Sequence, residues 1–399
     1  MDRARSWPAG WRHHRGGRRV DWVARSGVIG LFVALNATLL LRRGIRTDHY
    51  DAVHFYLPGA EQLRQGHLFV GRPGPWLGYE GLIALCQVAG LGLGSLVALQ
   101  LVVAALAILA HYDLGRALGG PWAGLFAAGL LAANPEIAWF HGYILTDSLY
   151  TSLVILAVWG IWRAATGRWG WYPVAFGVLL FAASVRPEGW LLLLIGVGTW
   201  LARARHRRGA RRLVLGGSLA GLALGALALA FFPAAIQFER PSAYLQRGDI
   251  ISDYPRWSLA MPPAPPAAGG ELAATVGYAA RHPGETALLA VVRIGTEVLH
   301  ARPYYSVRHN VVVLAGFPIL YALALLGGYR VRRAGLARLV AAVIAGHLPM
   351  AALLGANEQG RYLLFYFPLI CLFVGCAGAW GVQWWRQETR GSRAHRRDR

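Results

Sequence analysis

Apolar residues in this chain gather in long runs, not in the period-2 or period-3.6 alternation of a soluble fold. Runs long enough, or nearly so, to cross a hydrocarbon core of about 30 Å fall at 26–41, 95–112, 121–135, 147–162, 171–185, 188–202, 213–236, 310–329, 336–354 and 361–385. The pattern predicts an all-α polytopic membrane protein with about ten transmembrane helices, interfacial helices and two long outer loops, 42–94 and 237–309. The continuous apolarity over 79–110 reads either as two spans or as one span preceded by a helix in the interface.

Arginine placement decides between these. With one span there and the N-terminus inside, 26 of the 40 basic residues lie on the inner side and 14 on the outer. A second span would push the run RARHRRGARR (203–212) outside, against the positive-inside rule. The expected organisation is therefore a cytoplasmic Arg-rich segment 1–25, a multi-span domain 26–385 and a cytoplasmic basic tail 386–399. Both termini then face the cytoplasm of a plasma (inner) membrane.

Composition agrees with this reading. Hydrophobic residues make up 56% of the chain and charged ones 15%, too apolar for a soluble protein of 399 residues. The net charge of +21 would otherwise suggest nucleic acid. Five acids lie inside and 14 outside, so the inner face carries the whole excess and the outer face is balanced. The charge suits anionic inner-leaflet lipid and argues against a nucleic-acid partner. Cys86, Cys371 and Cys376 are odd in number and sit in apolar runs, which indicates neither a disulfide framework nor a cysteine zinc site.

Chemistry on loops should therefore lie on the outer face, where three stretches stand out. RTDHYDAVHFYLPGAEQLRQG (46–66) carries Asp48, Asp51 and His54 and ends in a short helix pattern closed by Gly66. WFHGYILTDSLY (139–150) sets Asp147 at the start of a span, with His141 nearby. NEQGRYLLFYFP (357–368) sets Glu358 and Arg361 at the start of the last one. Taken singly, Asp51 reads as a solvated acid, Asp147 as a helix N-terminal acid favoured by the macrodipole, and Arg361 as an interfacial anchor.

Together these stretches resemble the GT-C superfamily of polyprenyl-phosphate-sugar-dependent glycosyltransferases, in particular its protein O-mannosyltransferase and lipid A aminoarabinose transferase branches. The likeness rests on Asp51 followed by Phe55, Ala60, Leu63 and Gly66, on ALGGPWAGLFAAGLLAANPEIAWFHGYILTDSLY (117–150), on SVRPEGW (184–190) and on GRYLLFYFPL (360–369). Those branches usually read Asp-Glu-x-x-Tyr in the first loop, whereas this chain has Ala52 and Phe55.

The resemblance implies a membrane enzyme that moves a sugar from a polyprenyl-phosphate donor to the hydroxyl of a glycolipid, polysaccharide or protein acceptor. Such a donor already carries its leaving group, so the enzyme must take a proton from the acceptor and hold the departing phosphate. Asp51 is the expected base, and Asp147 orients the acceptor or, with Asp51, holds a divalent cation such as Mg²⁺ or Mn²⁺. Arg361, with Arg302 and Arg308 in HARPYYSVRHN (300–310), is the expected phosphate clamp. Asp48, His54, His141, Arg186 and Glu358 form a supporting or acceptor-binding set. A transporter or lipid flippase is the rival reading, but transporters place ionisable groups at mid-membrane, whereas these cluster at one interface.

Overall fold

The computed structural model describes residues 15–67, 76–166, 169–204, 216, 241–252, 254–263, 271–357 and 359–397. The expected span 213–236, Glu358, most of the arginine run 203–212 and part of the Pro/Ala/Gly stretch 261–270 lie outside them. Among the described residues there are helices and three isolated bridges but no strand.

In chain order the helices are α1 (Arg15–Arg43), a π-helical turn (Ala52–Tyr56), α2 (Leu57–Arg64), α3 (Leu77–Val88), α4 (Leu93–Gly119), α5 (Pro121–Ala132) and α6 (Pro135–His141). They continue with α7 (Thr146–Ala165), a 3₁₀ turn (Trp169–Trp171), α8 (Tyr172–Val185), α9 (Gly189–Ala204) and α10 (Pro241–Arg247). The last five are α11 (Glu271–Arg281), α12 (Pro283–Leu299), α13 (Val307–Val331), α14 (Gly335–Leu354) and α15 (Arg361–Arg397).

Six of these, α1, α4, α7, α13, α14 and α15, are long and apolar enough to cross a membrane. Helices α5 and α6 make a seventh if taken as one bent span, turning by 57° at Asn134–Pro135. Proline disfavours helix in the residue before it, and the Asn134 side chain caps α6 by accepting from Glu136 N and Ile137 N at 2.9 and 3.0 Å. Helices α8 and α9 are apolar but have 14 and 16 residues, shorter than a usual span. The described residues thus show a polytopic helical membrane architecture with six or seven full spans, where the pattern predicted about ten.

Helix α3 has 12 residues, about 18 Å at 1.5 Å per residue, too short to cross. The 79–110 run therefore breaks into a short helix and one span. The expected outer loop 237–309 is not simply a connector, since it contains α10, α11 and α12.

Helix α15 is the axis of the bundle, with 83% of its most apolar window buried, whereas α1 and α13 bury 17% and present their apolar faces outward. Its neighbours come in at backbone distance. A Cβ at Gly327 on α13 would stand 1.9 Å from the Phe373 carbonyl oxygen, and one at Gly375 2.5 Å from that of Ala123 on α5. Small residues at such crossings let helix backbones touch where burial from water provides no drive.

Candidate active site

The first turns of α7 and α15 and the segment before α2 converge at one end of the bundle. Two short chain pairings bring them there. Arg46 N donates to Gly142 O at 2.9 Å and Ile144 N to Arg46 O at 3.0 Å, so the approach to Asp51 runs beside the approach to Asp147. Likewise Ser252 N donates to Ala356 O and Ala356 N to Ile250 O, each at 2.8 Å, tying the segment after α10 to the turn before Arg361.

At the meeting point Arg361 bridges the two aspartates. Its Nε and Nη2 donate to both Asp147 oxygens at 2.8 and 2.6 Å, and its Nη1 donates to Asp51 Oδ2 at 2.5 Å. The Asp147 side chain is 0% exposed and that of Arg361 7%, whereas Asp51 is 23% exposed. Arg186 stands behind them, 3.7 Å from Asp147 Oδ1, donating to Thr146 Oγ1 at 2.9 Å and to Glu188 at 3.1 and 3.3 Å. Three carboxylates therefore face two guanidiniums, and the cluster keeps one negative charge in excess.

Asp51 directly precedes the π-helical turn, a local widening of the helix that recurs at functional sites. Its N–H donates to His49 Nδ1 at 3.2 Å. Tyr56, in the same turn, lies 3.3 Å from Thr146 Oγ1 through its hydroxyl, and burial raises the pKa of that phenol, so it stays protonated.

The turn that presents Arg361 is anchored from beneath. Glu297 accepts from Leu363 N at 2.8 Å, from Asn357 N at 3.0 Å and from Arg302 Nη2 at 2.8 Å. A carboxylate at the first turn of α15 satisfies orphan amides and suits the positive end of the helix dipole. Arg293 draws the neighbouring chain in by donating to the carbonyls of Asp249, Ala352, Leu353 and Tyr244 at 2.7–3.0 Å.

Several expected residues take other positions. Arg302 was expected at a phosphate, yet its side chain is 0% exposed. Its five guanidinium N–H groups serve Glu297, Asn357 O twice, Thr296 O and Ala301 O. It is a positioning residue. Arg308 is exposed on the first turn of α13 and is not among the partners of the Arg361 cluster. Asp48 is exposed and paired with Arg46, whose hydrogen bond lowers its pKa. His54 is exposed and lies against Tyr50, ring centroids 4.3 Å apart. His141 is buried, with Nδ1 2.6 Å from Ser148 Oγ and its ring edge-on to Phe32.

Asp51 and Asp147 do not offer an open cage for Mg²⁺ or Mn²⁺. A hard cation of this kind needs several oxygen ligands and keeps bound water, but both oxygens of the fully buried Asp147 already accept from Arg361. The guanidinium takes the bridging position. Sequence reasoning missed Glu297, Arg293, Thr146 and Tyr56. Glu297 alone carried a signal, as an acid on an apolar helix face.

No family model matches the chain, and no curated protein sequence matches it. Among solved structures it is similar to the archaeal oligosaccharyltransferase AglB from Archaeoglobus fulgidus, determined with an inhibitory peptide and a dolichol-phosphate. The TM-score is 0.53 at 16% identity, over 89% of this chain and 50% of that one. The chain spans half the length of that neighbour, and the likeness is one of fold.

Proposed function

We propose that this chain is an integral-membrane glycosyltransferase that moves a sugar from a polyprenyl-phosphate donor to an acceptor hydroxyl at the outer face of the membrane. The reading rests on one observation above the others: a partly exposed carboxylate, Asp51, and a deeply buried one, Asp147, share a single arginine at one end of the helical bundle. The neighbour's dolichol-phosphate is a lipid phosphate of the kind such an arginine would face.

In this reading Asp51 takes the proton of the acceptor hydroxyl as its oxygen attacks the anomeric carbon. The bond from that carbon to the phosphate oxygen breaks on the opposite face, with inversion, and the lipid phosphate leaves with the electron pair. Arg361 keeps its paired contact with Asp147, which fixes the guanidinium plane, and the Nη1 edge of that plane, now bonded to Asp51, faces the growing phosphate charge once the acceptor draws Asp51 away. Arg186 supports Asp147 and remains paired with Glu188. The acceptor side, where Asp48 and His54 lie exposed, is open to water, and both termini lie in the cytoplasm.

The test is a panel of polyprenyl-phosphate sugars presented to the purified, detergent-solubilised chain with glycolipid, polysaccharide and peptide acceptors. Acceptor-dependent release of the lipid phosphate is expected with at least one donor and lost in Asp51→Asn. Transport of an intact lipid-linked sugar across proteoliposomes without bond cleavage would replace this reading with the flippase one.

A further inference from the structure

The cluster of Glu136, His300 and His309 lies outside the residues assigned to catalysis. Their ligand atoms lie within 4.8 Å of one another. His300 Nε2 stands 3.1 Å from Glu136 Oε2, and His309 Nε2 3.7 Å from Glu136 Oε1.

Each donor is fixed by a helix terminus. Glu136 lies in the first turn of α6, behind the Asn134 cap. His309 lies in the first turn of α13, where its N–H donates to Ser306 Oγ at 3.2 Å. His300 is the C-cap of α12 and takes φ +57°, the one left-handed non-glycine conformation among the described residues. Such a conformation persists in a side chain bearing a Cβ only where the surroundings impose it, and it gathers at functional positions.

Polar satisfaction points the same way. His309 Nε2 is buried without a hydrogen bond although it faces Glu136 at 3.7 Å, while His300, 2% exposed, turns Nε2 to Glu136 and Nδ1 toward Gly360. A buried imidazole nitrogen facing a carboxylate beyond hydrogen-bond length lacks a partner that a shared cation would supply.

We propose that Glu136, His300 and His309 form a binding site for a divalent cation of the zinc class. Two imidazoles and one carboxylate are borderline-soft donors that suit Zn²⁺ and disfavour Mg²⁺ or Ca²⁺. Bonds of about 2.0–2.1 Å in a tetrahedron put donor atoms about 3.4 Å apart, within a small side-chain rotation of the observed separations. Three protein ligands leave a fourth position for water.

The site braces the machinery beside it. A Cβ at Gly360, the residue before Arg361, would lie 2.0–2.1 Å from the His300 ring, so that ring packs directly on the turn that presents the arginine. A cation joining α6, α12 and α13 holds His300 and with it that turn. This proposal does not depend on the chain being a glycosyltransferase.

Untagged protein, stripped with a chelator and titrated with Zn²⁺ alone, tests it. One equivalent per chain is expected, with a matching rise in melting temperature and, on Co²⁺ substitution, the visible absorption of a four-coordinate ion. His309→Asn and Glu136→Gln, at positions partly open to solvent, should each weaken binding at least tenfold and abolish the thermal shift. Asp51→Asn should leave stoichiometry and shift intact. The proposal is overturned if wild-type protein takes up no stoichiometric Zn²⁺, if His309→Asn binds it as wild type does, or if Asp51→Asn is the variant that loses it.

Discussion

Helix α7 carries an ion network at each end, and the two differ. At its first turn Asp147, Arg361, Arg186 and Glu188 are buried, with side-chain exposures of 0–10%, and Asp51 at their edge is 23% exposed. At its last turn Arg163 shares Asp113 with Arg25, and the pair Asp21–Arg116 adjoins through Tyr112, the charged side chains all exposed by 15–34%. The second network also leans on rings, Arg163 lying 5.1 Å from the centroids of both Trp159 and Trp162 and Arg25 5.0 Å from that of Tyr112. The ends lie about 24 Å apart along the helix.

Charge balance separates them further. The first has three carboxylates for two guanidiniums, and the second three guanidiniums for two carboxylates. An excess carboxylate can accept a proton. An excess arginine suits an anionic partner such as a lipid headgroup. Similar pairs of residue types thus do different physical work according to burial and to which charge is left over.

The sharpest way to break this comparison is at Arg361. Removing one partner of a buried pair leaves an uncompensated charge, which costs about 3–5 kcal/mol. Arg361→Ala should lower the melting temperature strongly and abolish donor turnover. The double variant Arg361→Gln with Asp147→Asn removes both charges together, so it should regain most of the stability and none of the activity. Recovery of activity would show that the arginine is only structural.

Asp51→Asn separates chemistry from stability. Losing a positioned base is typically worth 10²–10⁴ in rate, while the partly exposed Asp51 contributes little to holding the bundle. Turnover should fall by about that factor with donor binding kept and the melting temperature changed little. Asp48→Asn, at an exposed pair, should behave as wild type. If Asp48→Asn is the dead variant instead, the base lies three residues earlier, in the segment after α1.

A third test concerns Glu80 on α3, which is 4% exposed and close enough to α2 that a Cβ at Gly59 would meet its carboxyl at 2.5 Å. Burial pushes this carboxyl up to about 8 from 4.5. The folded chain therefore binds more protons than the unfolded one between those values. The stability associated with neutral Glu80 is complete below about pH 4.5 and is lost as pH rises through about 8, by up to about 1.4 kcal/mol per pH unit. Glu80→Gln should flatten melting temperature against pH over that window. An unchanged slope would mean that the carboxylate finds a charged partner.

These residues also show what the sequence could reveal. Long apolar runs were enough for a polytopic helical protein, because hydrocarbon thickness acts on local sequence. Asp51, Asp147 and Arg361 were readable as candidates because each stands where an apolar run begins or ends. Their junction was not, since it depends on pairings such as Arg46 with Gly142 and Ile144 that no local pattern records. Arg302 misled for the same reason: whether an arginine faces a ligand or the carbonyls beneath it is settled by tertiary packing. The break at Asn134–Pro135 was written in the chain, but an apolar run there concealed it.

The smallest effect is expected at the other end of α7. Asp113 holds Arg25 at 2.5 Å and Arg163 at 3.2 Å, yet both arginines are 21–34% exposed. Partly hydrated pairs of this sort are worth about 0.2–1 kcal/mol each and are screened over about 8 Å at physiological salt. When Asp113 becomes Asn, the freed guanidiniums keep their aromatic platforms and gain contact with anionic headgroups, so little charge is stranded. Asp113→Asn should therefore cost under about 1 kcal/mol, the cost shrinking further as salt rises, with turnover unchanged. Thermal melts at low and high ionic strength, run beside those of Arg361→Ala, measure it. A loss comparable to that of Arg361→Ala, insensitive to salt, would show that the two networks are energetically alike and that exposure does not separate them.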